Sequence, residues 1–234
     1  ALVNKFEEAL GATFTIVFGQ TECSPVASMV RPDDLAIDKA TTLGGPMPHV
    51  EVKIVDPDTG QTLPTGTKGE YCTRGYHVMH EYFEMPEATA RTIDQDGWLH
   101  TGDICSMDER GYCTVEGRLK DMIIRGGENI YPREIEELLF QHPTVGEVAV
   151  VGLPDERLGE VVGAFIRSAP GETPDREALF AYLREHASPQ KTPKHWFLMA
   201  EFPLTGSGKI QKYVLREQWL DGKLVEMREQ PGIT

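Results

Sequence analysis

The chain has 234 residues, 40% of them hydrophobic, which is enough for one or two packed domains, and a formal net charge of −14. That acidic balance excludes a nucleic-acid partner, because phosphate backbones are held by clustered Lys and Arg, and any polyanionic ligand would need local positive charge. No run approaches the roughly 20 apolar residues of a membrane span and no basic-then-apolar leader opens the sequence. A cytoplasmic protein is therefore expected, with only peripheral membrane contact left open.

Taken in order, Leu2, Phe6 and Leu10 mark one face of a short helix that Gly11 ends, and residues 13–18 form a β-rich run. Such an opening reads as the middle of a fold, and Ala1 in place of a methionine supports missing upstream sequence. A Pro- and Gly-rich stretch leads to Pro48. Strands are predicted at residues 50–55, 70–74 and 112–116, separated by turn clusters such as Asp56-Pro57-Asp58-Thr59-Gly60, the pattern of a small β-barrel or sandwich. The four cysteines, Cys23, Cys72, Cys105 and Cys113, lie in separate segments without metal-ligand spacing, so reduced core thiols are expected and no zinc site.

From Met122 the pattern changes to a strand, a Gly126-Gly127 turn, and a helix with Pro132 near its first turn and Ile135, Leu138 and Leu139 on one face. Buried strands at 147–151 and 161–166, a helix near 175–185, a strand at 196–202 and a helix near 213–219 follow. The class is α+β multidomain, with domains at residues 1–118 and 119–234 and a boundary near 118–120.

Several segments carry candidate chemistry beside a plain reading. Thr21-Glu22 after a strand reads in isolation as a cap, and Asp103 after Thr101-Gly102 as a turn residue. Residues 118–125 read as a solvated basic edge strand, Gly126-Gly127 as a tight turn needing positive φ, and Lys209 as a solvated lysine. Pro203-Leu204-Thr205-Gly206-Ser207-Gly208-Lys209 is not a Walker phosphate loop, which requires Gly at 203 and Ser or Thr at 210. A dinucleotide fingerprint fails as well, since Gln211 stands where its third glycine belongs.

The joint order of the blocks outweighs the separate readings. Phe18-Gly19-Gln20-Thr21-Glu22, Gly69-Glu70, Trp98-Leu99-His100-Thr101-Gly102-Asp103, Gly117-Arg118-Leu119-Lys120-Asp121, the run from Gly126-Gly127-Glu128-Asn129-Ile130-Tyr131-Pro132 through Arg133-Glu134-Ile135-Glu136, and the Lys209 loop follow one another along nearly the whole chain. In this it resembles the adenylate-forming superfamily of acyl-CoA synthetases, adenylation domains and luciferases. The resemblance implies the distal part of a large AMP-binding domain with its β-barrel, then a small mobile C-terminal domain. It further implies that a carboxylate attacks the α-phosphate of ATP to give acyl-adenylate and pyrophosphate, and that CoA thiol then displaces AMP.

On that resemblance each matched residue acquires a role. Phe18, where tyrosine is commoner, packs on adenine beside Gly19. Thr21 donates to a phosphate oxygen and Glu22 holds Mg2+, a hard cation suited to oxygen ligands. Asp103 accepts from both ribose hydroxyls and Arg118 reinforces the ribose or phosphate contact. Lys209 stabilises the charge between carboxylate and α-phosphate, Lys120 is the hinge, and Gly126 and Gly127 line the passage for the pantetheine arm of CoA. Tyr131-Pro132-Arg133-Glu134-Ile135-Glu136 favours a stand-alone ligase, and Cys23-Ser24-Pro25 is similar to medium- or long-chain fatty-acyl ligases. The family's Ser/Thr/Gly-rich phosphate loop and aromatic substrate motif do not occur in the chain, so a fragment of a longer enzyme is expected. The alternatives are a non-catalytic nucleotide- or partner-binding module, an aryl-CoA ligase, and a carrier-protein-dependent adenylation enzyme.

Overall fold

A computed structural model describes residues 2–227 and resolves the chain into two compact units, Ala1–Leu119 and Lys120–Thr234. In the first unit, α1 (Leu2–Leu10) ends at Gly11, whose φ of +61° is the left-handed conformation that suits a helix stop. A small antiparallel sheet follows, with β1 (Val17–Phe18), β2 (Ser28–Met29) and β3 (Gly45–Pro46) in that order, and α2 (Ala36–Thr41) lies between its last two strands. The β-rich run expected at residues 13–18 pairs only at Val17 and Phe18, because its partner strand is itself two residues long.

The larger sheet is an antiparallel meander of β4 (Glu51–Val55), β5 (Gly69–Arg74), β6 (Leu99–Met107) and β7 (Cys113–Arg118), with α3 (Pro86–Thr92) before β6. The path is open, with β4 and β7 at opposite ends, and no closed barrel forms among the described residues. One face buries Ile54, Tyr71, Leu99, Cys105 and Cys113 together with Cys23 and Ala27, so the turn that carries Thr21 and Glu22 is fastened to the sheet by its own buried cysteine. All four cysteines are buried and free.

The second unit is a three-layer assembly. Its sheet contains β8 (Ile123–Arg125), β9 (Glu128–Ile130), β10 (Val145–Asp155), β11 (Gly159–Ser168) and β12 (His195–Leu198), antiparallel except for the parallel pair β11 and β12. Strand alternation sorts the core: Val150, Val162, Ala164 and Ile166 face the side that buries Ile135 and Leu139 of α4 (Pro132–Phe140) and Leu179 and Leu183 of α5 (Arg176–His186). Ala149, Val151, Leu153, Val161 and Phe165 face Leu215 of α6 (Lys212–Leu220). Burial on both faces is why β10 and β11 read as nearly continuous apolar runs.

Candidate functional site

In the first unit the site is built where two distant segments meet. The Gln20 side-chain amide donates to the Thr101 carbonyl at 2.8 Å and to Asp103 Oδ2 at 3.0 Å, joining the Thr21–Cys23 turn to β6. Arg118 Nε donates to Asp103 Oδ1 at 2.9 Å, a pairing set by strand register, since Asp103 lies directly opposite Arg118. Asp103 is 5% exposed, whereas the Arg118 side chain is half exposed. A buried carboxylate is thus gripped on both oxygens, one by a neutral amide and one by a guanidinium.

The backbone around Asp103 is shaped by its neighbours. Gly102 has φ +70° inside β6, and the pairing with β7 shifts between Ile104 and Cys105. The buried Glu70 accepts from Gly102 N at 2.9 Å and pairs with His100 Nδ1 at 2.7 Å, while Thr101 Oγ1 donates to the Tyr71 carbonyl. Asp103 therefore stands within a nine-residue strand where the sequence alone suggested a turn residue.

Phe18 is half-buried and meets Tyr71 edge-to-face at 4.9 Å. Thr21 is exposed and Glu22 intermediate. Tyr82 donates its hydroxyl to Glu22 Oε1 at 2.7 Å, and Met79 N donates to the Glu22 carbonyl at 2.9 Å. Burial holds the Cys23 thiol up at about 11, with Glu22 and Asp103 adding to the rise, so Cys23 is packing and not a nucleophile. Gly19 has a direct steric reason: a Cβ there would fall 1.5 Å from the Pro25 carbonyl oxygen. Gly19→Ala is expected to cost about 1–3 kcal/mol of stability through forced backbone displacement, read by denaturant unfolding. An unchanged midpoint would show that the turn yields freely.

In the second unit Gly126 and Gly127 have φ of +60° and +86° and join β8 to β9 as a two-residue hairpin, the geometry of a type I′ turn. Lys120 is exposed in the single 3₁₀ turn Leu119–Asp121. Lys209 is exposed on a tight turn closed by Thr205 N to the Lys209 carbonyl at 2.8 Å, Gly208 N to the Thr205 carbonyl at 2.9 Å, and Lys209 N to Thr205 Oγ1 at 3.1 Å. Among the described residues its ammonium has no ion-pair or hydrogen-bond partner. Just beyond the turn, Lys212 pairs with Glu136 at 2.6 Å, and Glu136 also accepts from Val150 N, fixing the start of α6 to α4 and β10.

Phe18, Gly19, Thr21, Glu22, Asp103 and Arg118 thus belong to the first unit, where Gln20 links the turn to the strand pair, while Lys120, Gly126, Gly127 and Lys209 belong to the second. Sequence reasoning passed over Gln20 and Tyr82. Gln20 sits inside the Phe-Gly-Gln-Thr-Glu block and could have been suspected. Tyr82 lies 60 residues from Glu22 and no local pattern announces it.

Comparison with known proteins matches residues 1–83 to the family described as AMP-binding enzyme and residues 134–209 to the AMP-binding enzyme C-terminal domain. YngI of Bacillus subtilis (strain 168) is 51% identical over 207 residues, covering 88% of this chain and 38% of that protein. The mitochondrial medium-chain acyl-CoA ligase ACSF2 of Rattus norvegicus is 48% identical over 203 residues, covering 87% and 33%. Among solved structures, ATP-bound MatB from Rhodopseudomonas palustris superposes with a TM-score of 0.86 at 33% identity, covering 94% of this chain and 43% of that one. The chain spans about a third of the length of the curated relatives it matches.

Proposed function

This chain belongs to the AMP-binding enzyme family, and from that premise we propose that it takes part in ATP-dependent activation of a carboxylic acid, a medium- or long-chain fatty acid by preference, to acyl-adenylate and then to acyl-CoA. Residues 1–118 act as the distal part of the large AMP-binding domain, the meander belonging to a small barrel, and residues 119–234 as its mobile C-terminal domain. The aligned share supports the further proposal that the chain is one part of a longer enzyme, whose remainder supplies the phosphate loop and acid pocket. A cytoplasmic setting belongs to the same proposal. No helix among the described residues is long and apolar enough to cross a membrane.

The observation that carries this reading is the Gln20 junction, which sets a buried, doubly held Asp103 near the turn that bears the exposed Thr21 and the half-buried Glu22. In the proposal the Asp103 oxygens keep spare lone pairs for the two ribose hydroxyls, Arg118 adds positive charge where an acidic chain most needs it, and Phe18 backs the adenine. Thr21 donates to phosphate. Glu22 Oε2, which has no protein partner among the described residues, is a hard carboxylate oxygen of the kind that fits Mg2+. Bound there with ATP, Mg2+ supplies charge neutralisation of the phosphates. Lys209 stabilises the charge that develops as the carboxylate attacks the α-phosphate, with pyrophosphate leaving. CoA thiol then attacks the acyl carbonyl along a passage lined by Gly126 and Gly127, and AMP departs.

The test is thioester formation by mass spectrometry with MgATP, CoA and a panel of straight-chain and aromatic acids, beside AMP binding by calorimetry. A fatty-acyl thioester supports the full reading, and an aromatic product moves the substrate class. AMP binding without turnover marks the chain as the nucleotide-holding part of a longer enzyme. Absence of any nucleotide binding would overturn the proposal. Lys120→Pro, which fixes φ at the proposed hinge, is expected to slow thioester formation from preformed acyl-adenylate more than it slows adenylation. Equal rates for the wild-type chain and Lys120→Pro in the thioester step would remove the hinge role.

A further inference from the structure

The Glu22 carboxylate is held by a group that none of the sequence motifs contains. Tyr82 donates its hydroxyl to Oε1 at 2.7 Å, and the segment bearing it is secured on two sides. Met79 N donates to the Glu22 carbonyl at 2.9 Å, and Tyr82 N donates to Thr89 Oγ1 at 3.0 Å, on a helix that begins only four residues after Tyr82. Tyr82 is partly buried. A carboxylate with one oxygen so engaged gives up much of its rotational freedom and leaves the other oxygen as its open ligand position.

We propose that Tyr82 is a positioning residue that locks Glu22 so that Oε2 is presented to the divalent cation of the bound nucleotide. This rests on the reading of Glu22 as a metal-binding residue. In this proposal Tyr82 acts on the cation through Glu22 and not as a ligand itself.

The test measures ATP affinity calorimetrically with Mn2+ and again in EDTA, and takes the ratio as the metal-dependent enhancement, for the wild-type chain, Tyr82→Phe, Glu22→Gln and the double variant. Tyr82→Phe is expected to cut the enhancement by about tenfold, the scale of losing an outer hydrogen bond to a metal ligand, and to leave metal-free AMP affinity and the melting temperature unchanged. Glu22→Gln is expected to abolish the enhancement, and the double variant to be no worse than Glu22→Gln, because two residues acting through one contact do not add. A full enhancement in Tyr82→Phe with loss in Glu22→Gln would overturn the Tyr82 role and leave the metal reading standing. An enhancement absent from the wild-type chain, or intact in Glu22→Gln, would overturn both. Weakened AMP binding in EDTA by Tyr82→Phe would show a general structural part and overturn the proposal.

Discussion

Lys209→Ala is expected to slow acyl-adenylate formation by on the order of 10²–10³-fold while sparing transfer from preformed acyl-adenylate to CoA, the scale of removing one preorganised donor from developing charge. The geometry makes this a clean substitution. The turn around Lys209 is closed by main-chain groups and the Thr205 hydroxyl, and the ammonium has no partner among the described residues, so truncation removes charge without dismantling the loop. Gly208, at φ +82°, keeps the turn tight whichever side chain follows it. The two half-reactions separate the roles: pyrophosphate exchange into ATP reports the first, and thioester yield from synthetic acyl-adenylate the second. Equal loss in both would sink the assignment, as would full adenylation by the variant.

Asp103→Ala is expected to weaken AMP binding by about 10²-fold or more, from loss of two charge-assisted hydrogen bonds of roughly 1.5–3 kcal/mol each, partly offset by solvation of the freed hydroxyls. The 5% exposure of Asp103 and its two protein donors mean that the carboxylate is set before any ligand arrives. Removing it also leaves the Gln20 amide and Arg118 facing a gap, so Asp103→Asn, which keeps volume and one acceptor, is the companion variant. The discriminating ligand is the 2′,3′-dideoxy nucleotide, which lacks both hydroxyls. Wild-type protein should bind it far more weakly than AMP, and Asp103→Ala should bind the two alike. A variant that still prefers AMP would place ribose recognition elsewhere.

How much of this was legible depended on whether the information was local. The Gly126-Gly127 hairpin, the Pro132 helix start and the buried pair β10 and β11 were readable because positive φ, fixed φ and two-sided burial each leave a mark within a few residues. Strand β6 was missed. Its residues from Leu99 to Met107 include Thr101-Gly102-Asp103, which looks like a turn, and contacts from distant residues, Glu70 to Gly102 N, the Tyr71 carbonyl to Thr101 and Arg118 to Asp103, keep the Gly102 kink inside the ladder. Of the small β-barrel or sandwich expected from these strands, the described residues show an antiparallel four-stranded path, because strand count from a sequence says nothing about whether the outer edges meet. The candidate site residues stood out through their motif order, whereas Tyr82 owes its place to a contact 60 residues away and had no signature.

The four buried cysteines have a practical consequence. Burial raises the thiols of Cys23, Cys72 and Cys113 to about 11, 12 and 12, far from the thiolate form that maleimides and iodoacetamides attack, and Cys105 is equally shielded from solvent. The native chain is therefore a silent background for fluorophore chemistry. A single cysteine introduced at an exposed position in each unit would carry the only reactive labels, and distance changes between the two dyes could be followed during turnover without deleting one native thiol.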